Sequence, residues 1–144
     1  MTNQTRFLPR LPFVYNRPMP KTENANDQKH ILQEQQTVSK MIRLYCRARH
    51  QPKGELCAEC EQLRAYALLR IERCAFQPDK PTCGKCPVHC YRPDMRARIR
   101  AVMRYAGPRM LTVDPIAAVR HLVRTFRKPS AKVRQAIQRQ NDPA

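Results

Sequence analysis

The sequence predicts an all-α fold: a small helical domain stapled by cysteine and histidine metal sites, with a disordered arm at its N-terminus. Three observations carry this. Apolar residues recur every three or four positions along most of the chain, no run alternates in the way a half-buried strand does, and seven cysteines fall at the ends of the helical stretches rather than within a strand pattern.

In the first segment, Pro9, Pro12, Pro18 and Pro20 are followed by a polar run from Lys21 to Lys29 without apolar periodicity. Residues 1–30 are therefore expected to form a disordered arm. A helical stripe follows, Ile31, Val38, Met41, Ile42 and Tyr45, and should end near His50 because Pro52 and Gly54 come next. A second helix should start close to Cys57, with Cys60, Leu63, Ala67, Ile71 and Cys74 on one face. The run Gln77 to Pro81 reads as a loop, and Cys83 to Cys90 as a knuckle too short and broken for regular structure. After Pro93 a third helix turns Met95, Ile99, Val102, Met103 and Ala106 inward and Arg96, Arg100 and Arg104 outward. Gly107-Pro108 should stop it. Asp114-Pro115 suits the cap and first turn of a fourth helix, whose Ile116, Val119, Val123 and Phe126 are expected to face the core. Lys128-Pro129-Ser130 closes the helical domain, placed at residues 31–128. The basic tail, 129–144, can hold a short helix from Ala131 to Gln140.

Eight candidate ligands form two sets: Cys46-x3-His50-x6-Cys57-x2-Cys60 and Cys74-x8-Cys83-x2-Cys86-x3-Cys90. If residues 60–74 are one helix, Cys60 and Cys74 lie about 21 Å apart along its axis, at about 1.5 Å per residue. Zinc ligands each sit only about 2.0–2.3 Å from the ion, so these two cysteines cannot share one. In the first set, Cys46 and His50 share a helical face at i and i+4, and a short loop returns the chain to Cys57 and Cys60. Three thiolates and an imidazole suit structural zinc. The second set has four thiolates, which suits zinc or an iron–sulfur cluster of the 4Fe-4S kind. His89, beside Cys90, is expected to pack or to orient a ligand. A zinc-ribbon pairing of Cys57/Cys60 with Cys83/Cys86 stays open at this point, as does a redox-active Cys83/Cys86 pair, although no strand precedes it as thioredoxin-like chemistry would want.

The charge is +17, from 28 basic and 11 acidic residues. Between Arg92 and Gln140, thirteen Lys/Arg face only Asp94 and Asp114. Such a surface attracts nucleic acid or another acidic partner at long range. Neither a helix-turn-helix signature nor an aromatic stacking set stands out, and Tyr45, Tyr66, Tyr91 and Tyr105 are expected to pack around the metal sites. No apolar run is long enough to span a bilayer, and no secretory leader is visible, so a cytoplasmic location with reduced thiols and no membrane partner is expected. No phosphate-binding loop, nucleophile elbow or paired carboxylates indicate an independent catalytic centre.

Several of these runs together resemble a known family. Met41-x3-Tyr45-Cys46-x3-His50, Leu56-Cys57-x2-Cys60-x2-Leu63-x2-Tyr66-Ala67, Arg73-Cys74, Cys86-Pro87-Val88-His89-Cys90-Tyr91 and Val102-Met103-Arg104-Tyr105-x-Gly107-Pro108-Arg109-Met110 are similar to the nitrous oxide-stimulated promoter family, the YgbA-like bacterial proteins, over roughly residues 38–123. The resemblance implies a cytoplasmic bacterial protein of the nitrosative-stress response, whose cysteines hold an iron–sulfur cluster. It implies no defined reaction.

Overall fold

The computed structural model describes residues 24–74, 76, 77, 82, 86 and 90–141. Five helices follow in order: α1 (Ala25–Arg49), α2 (Ala58–Glu72), α3 (Pro93–Val113), α4 (Pro115–Phe126) and α5 (Ala131–Asn141). No strand occurs among the described residues. Most of the expected N-terminal arm, residues 1–23, lies outside them; the remainder, from Ala25, is already helical, and α1 is capped by the Asn24 side chain accepting from the Asn26 N–H.

Helices α1, α2 and α3 make the core. Ile31, Val38 and Ile42 of α1, Leu63, Ala67 and Ile71 of α2, and Met95, Ile99 and Val102 of α3 form one buried cluster. These are the stripes that the spacing predicts, and each is one face of a helix with polar residues opposite. Cys46 and Cys60 belong to the same cluster, so the core continues into the ligand set without a break. At the end of α1, Gln51 adopts φ 46°, a left-handed turn that a non-glycine residue rarely takes. The N–H groups of His50 and Gln51 both donate to the Cys46 carbonyl there, and Pro52 then prevents the helix from resuming.

Two further expectations fail. Gly107-Pro108 does not stop α3, which continues to Val113 with Pro108 inside it. Proline denies the Arg104 carbonyl its usual donor. Beyond it, Met110 is buried and its carbonyl accepts the Asp114 N–H, so packing on the far side of the proline carries the helix past the local stop signal.

The second failure is α4. Its cap is as expected, with the Asp114 carboxylate accepting from the Ala117 N–H at 3.0 Å. Yet Ile116, Val119, Val123 and Phe126, expected in the core, are all exposed, and α4 buries only Ala117. Periodicity identified the helix but not the side it turns inward. That side is set by Ala117 against α3 and by the ion pairs Asp114–Lys40 and Arg124–Glu34, both to α1. The last helix, α5, is present as expected and buries Val133.

Candidate metal centre

The α1–α2 hairpin brings the first ligand set together. Cys46 and His50 lie one turn apart at the C-terminal end of α1, and Cys57 and Cys60 occupy the N-cap and first turn of α2. One donor atom from each of the four residues lies within 4.8 Å of every other. His50 Nδ1 is 3.2 Å from Cys57 Sγ and 3.3 Å from Cys60 Sγ. Cys46 Sγ accepts from the Cys57 backbone N–H at 3.3 Å, which fixes the loop's return against the end of α1. Ligands around a tetrahedral ion at about 2.0–2.3 Å stand roughly 3.5–3.8 Å apart. To admit one ion the two short His50–thiol separations open by a few tenths of an ångström, and donors standing as far as 4.8 Å apart close by up to about 1 Å.

The two α2 thiols differ in chemistry. Cys57 is lowered from 9.0 to about 7, first by the backbone N–H of Cys60 at the helix start, and further by the Cys46 and Cys60 thiols and His50. Cys60 is pushed up, first by burial and then by its interactions with Cys57 and Cys46. In the metal-free chain one sulfur is thus close to the anionic form at neutral pH while its neighbour keeps its proton. A divalent cation reverses the second effect, because its charge outweighs the desolvation of the thiolate.

Around His50 lies a shell of rings and guanidinium groups that the sequence did not reveal as a set. Tyr45 meets the imidazole edge-on at 5.5 Å, and Tyr105 of α3 packs edge-on against Tyr45 at 5.9 Å. The Arg109 and Arg49 guanidiniums lie 3.9 Å and 5.2 Å from the Tyr105 ring centre. A parallel arrangement surrounds Tyr66, with Tyr91 edge-on and with Arg70 and Arg92 at 5.0 Å and 5.7 Å. The tyrosines expected near the ligands are there in the case of Tyr45, and the interleaving arginines come from three different helices. Only the fold brings them together. Arg109 also donates to the Tyr105 carbonyl within α3.

The second ligand set is described only in part. Cys74 follows the end of α2, half-buried; Cys86 is half-buried and Cys90 exposed, while Cys83 and His89 lie outside the described residues. Among the described residues the convergent group of donors is the first set. Helix α2 is continuous from Ala58 to Glu72, as the separation of Cys60 from Cys74 requires. The pair Cys57/Cys60 lies with Cys46 and His50; the zinc-ribbon pairing involves Cys83, which lies outside the described residues.

Comparison with known proteins places this arrangement. The profile of the family described as Nitrous oxide-stimulated promoter matches residues 29–134. The chain belongs to the nitrous oxide-stimulated promoter family. The match spans α1 to the first turn of α5, wider at both ends than the resemblance seen in the motifs, and includes all eight candidate ligands. Over 95 residues the chain is 45% identical to Uncharacterized protein YgbA of Escherichia coli (strain K12), covering 66% of this chain and 80% of that protein. No solved structure matches. Among the described residues, no helix of this family member is long and apolar enough to cross a membrane.

Proposed function

We propose that this family member is a cytoplasmic bacterial metal-binding protein that acts in the nitrosative-stress response through thiolate-bound metal. The observation that carries the reading is the convergence of Cys46, His50, Cys57 and Cys60, whose donor atoms lie within 4.8 Å of one another. That spacing suits a single ion better than a cubane, which holds its thiolates further apart, so zinc is assigned to this set. Cys74, Cys83, Cys86 and Cys90 are assigned to an iron–sulfur cluster of the 4Fe-4S kind, on four-thiolate chemistry and on their separation from the first set by α2. The family's name mentions nitrous oxide, and the proposed role extends this to nitrosating species. Thiolate centres suit that role: an S-nitrosothiol can transfer nitrosonium to a bound sulfur, leaving as its own thiolate. The modified sulfur is no longer anionic and releases the metal.

The test is anaerobic purification followed by elemental analysis for zinc, iron and sulfide, and an absorption spectrum. Cys60→Ala and His50→Ala should remove zinc and leave iron and sulfide in place. Cys83→Ala and Cys90→Ala should remove iron, sulfide and the visible absorption, and leave zinc. A chain that holds neither metal when purified without oxygen would overturn the reading.

A second reading, a metal-stapled nucleic-acid binder, is favoured by one feature. Tyr105 with Arg49 and Arg109, and Tyr66 with Arg70 and Arg92, supply rings and planar cations of the kind on which unpaired bases stack. Salt-dependent gel shifts with single-stranded RNA and DNA would test it: Tyr105→Leu should weaken binding, and absence of binding at moderate salt would remove it.

A further inference from the structure

Helix α4 is amphipathic, and it is mounted with its apolar side to solvent. Ile116, Val119, Leu122, Val123 and Phe126 are between 52% and 78% exposed. At about 100° per residue they fall within an arc about 120° wide. Ala117 and Arg124, which face α3 and α1, fall nearly opposite the middle of that arc. The two most exposed side chains, Ile116 and Phe126, stand at the two ends of the helix, so the bare strip runs its whole length.

The surroundings of the strip narrow what can cover it. From Pro115 to Asn141 the chain has seven Lys/Arg and no Asp or Glu. Arg120, Arg127 and Lys128, all exposed, border the strip or follow its last turn. A second copy docked through this face would set these cations against their own symmetry mates, with no carboxylate in the segment to pair them. The strip is also a convex ridge on one helix. It suits a flat, deformable apolar surface, whereas docking into a protein would require a groove shaped to it. An occupant that is apolar within, anionic at its border and flat is an anionic lipid bilayer.

We propose that α4 is an interfacial membrane anchor. Its apolar strip enters the acyl boundary of an anionic leaflet, the helix lies parallel to the surface, and Arg120, Arg127 and Lys128 sit among the headgroups. No segment spans the bilayer in this arrangement. It revises the expectation, drawn from the lack of a spanning run, that the chain has no membrane partner. The proposal does not depend on the metal centre, since α4 carries no candidate ligand.

The test uses the full chain, purified with its metal, and vesicles of phosphatidylcholine alone or mixed with phosphatidylglycerol. Co-sedimentation should show binding to the mixed vesicles at least about tenfold tighter than to phosphatidylcholine, weakened by added salt, because each cation near an anionic surface adds to the attraction. Phe126→Glu and Val123→Glu should each lower binding about tenfold or more, by putting a charge into the acyl boundary. Both positions are exposed, so the helical circular dichroism of the variants should match that of the parent. Arg127→Gln with Lys128→Gln should erase the preference for phosphatidylglycerol. Failure of the parent to bind the mixed vesicles overturns the proposal, as does binding that Phe126→Glu leaves unchanged. If light scattering shows a dimer that Phe126→Glu dissociates, the face belongs to a second copy and the proposal falls.

Discussion

Cys60→Ala should cost several times more stability in the metal-loaded chain than in the metal-free one. The Cys60 side chain is 3% exposed, with its Sγ 3.3 Å from His50 Nδ1. Without metal, the substitution deletes one small buried group from the core, worth about 1 kcal/mol on the scale of a methylene. With metal, it deletes one of four ligands. Structural zinc contributes about 10–16 kcal/mol in small domains, so an equal share per ligand is about 3–4 kcal/mol. In a domain of about a hundred residues, each kcal/mol moves the thermal midpoint by roughly 4–8 °C. The expected drop is therefore roughly 12–30 °C when loaded, against roughly 4–8 °C when stripped. Differential scanning calorimetry of parent and variant, each with metal and with chelator, closes a four-state cycle whose coupling term isolates the ligand. Equal shifts in the two conditions would show that Cys60 acts only as a core residue, and the metal assignment would fail with it.

Three further outcomes follow from the same geometry. Ile42 is fully buried where α1 meets its neighbours, and Ile42→Ala should cost about 2–5 kcal/mol, read as a lower urea midpoint with unchanged slope. Pro108 lies inside α3 and denies the Arg104 carbonyl its donor, so Pro108→Ala should raise the thermal midpoint, by up to about 3 kcal/mol of added stability; a lower midpoint would refute that reading of the proline. In the metal-free chain, Cys57 titrates near 7 in the folded state against 9.0 when unfolded. The unfolded chain binds the extra proton between those values, so the Cys57 contribution should be fully present above about pH 9 and fall as pH drops through about 7. Cys60, whose thiol is pushed up in the fold, ionises near 9.0 only when unfolded, so it opposes the trend at the top of that window and above it, and leaves the fall toward about pH 7 unaffected. Urea midpoints at pH 9 and pH 6.5 test the sign, and a higher midpoint at the lower pH would refute it.

The convergence of the candidate ligands was legible in the sequence because its geometry is local. A four-residue separation on α1, a short return and a CxxC pair at the start of α2 leave little freedom in where the donors go, and the donors do converge. The α1, α2 and α3 stripes were legible for a similar reason, since each helix has one apolar face and the three faces bury one another. Pro108 was misread because a local stop signal says nothing of the packing beyond it, and Met110 is buried there. The shell of Tyr45, Tyr105, Arg49 and Arg109 was not legible at all, because it joins residues of α1 to residues of α3 with no spacing rule to link them.

The orientation of α4 is a different kind of miss, and magnitudes show why. Burying a Val, Leu, Ile or Phe side chain fully is worth about 1.5–3 kcal/mol, so the five on α4 represent roughly 8–15 kcal/mol at full burial and about half that against a single neighbouring face. The contacts that hold the opposite side inward include one buried alanine and two partly exposed ion pairs, each worth on the order of 1 kcal/mol. Apolar burial by itself would favour the opposite rotation of α4. With Asp114 as the sole residue between α3 and α4, and its carboxylate engaged both by Lys40 and by the Ala117 N–H, the junction holds the helix in this rotation. The apolar energy left unused in the isolated chain is then available to whatever covers the strip, which is the quantity that the vesicle titration measures.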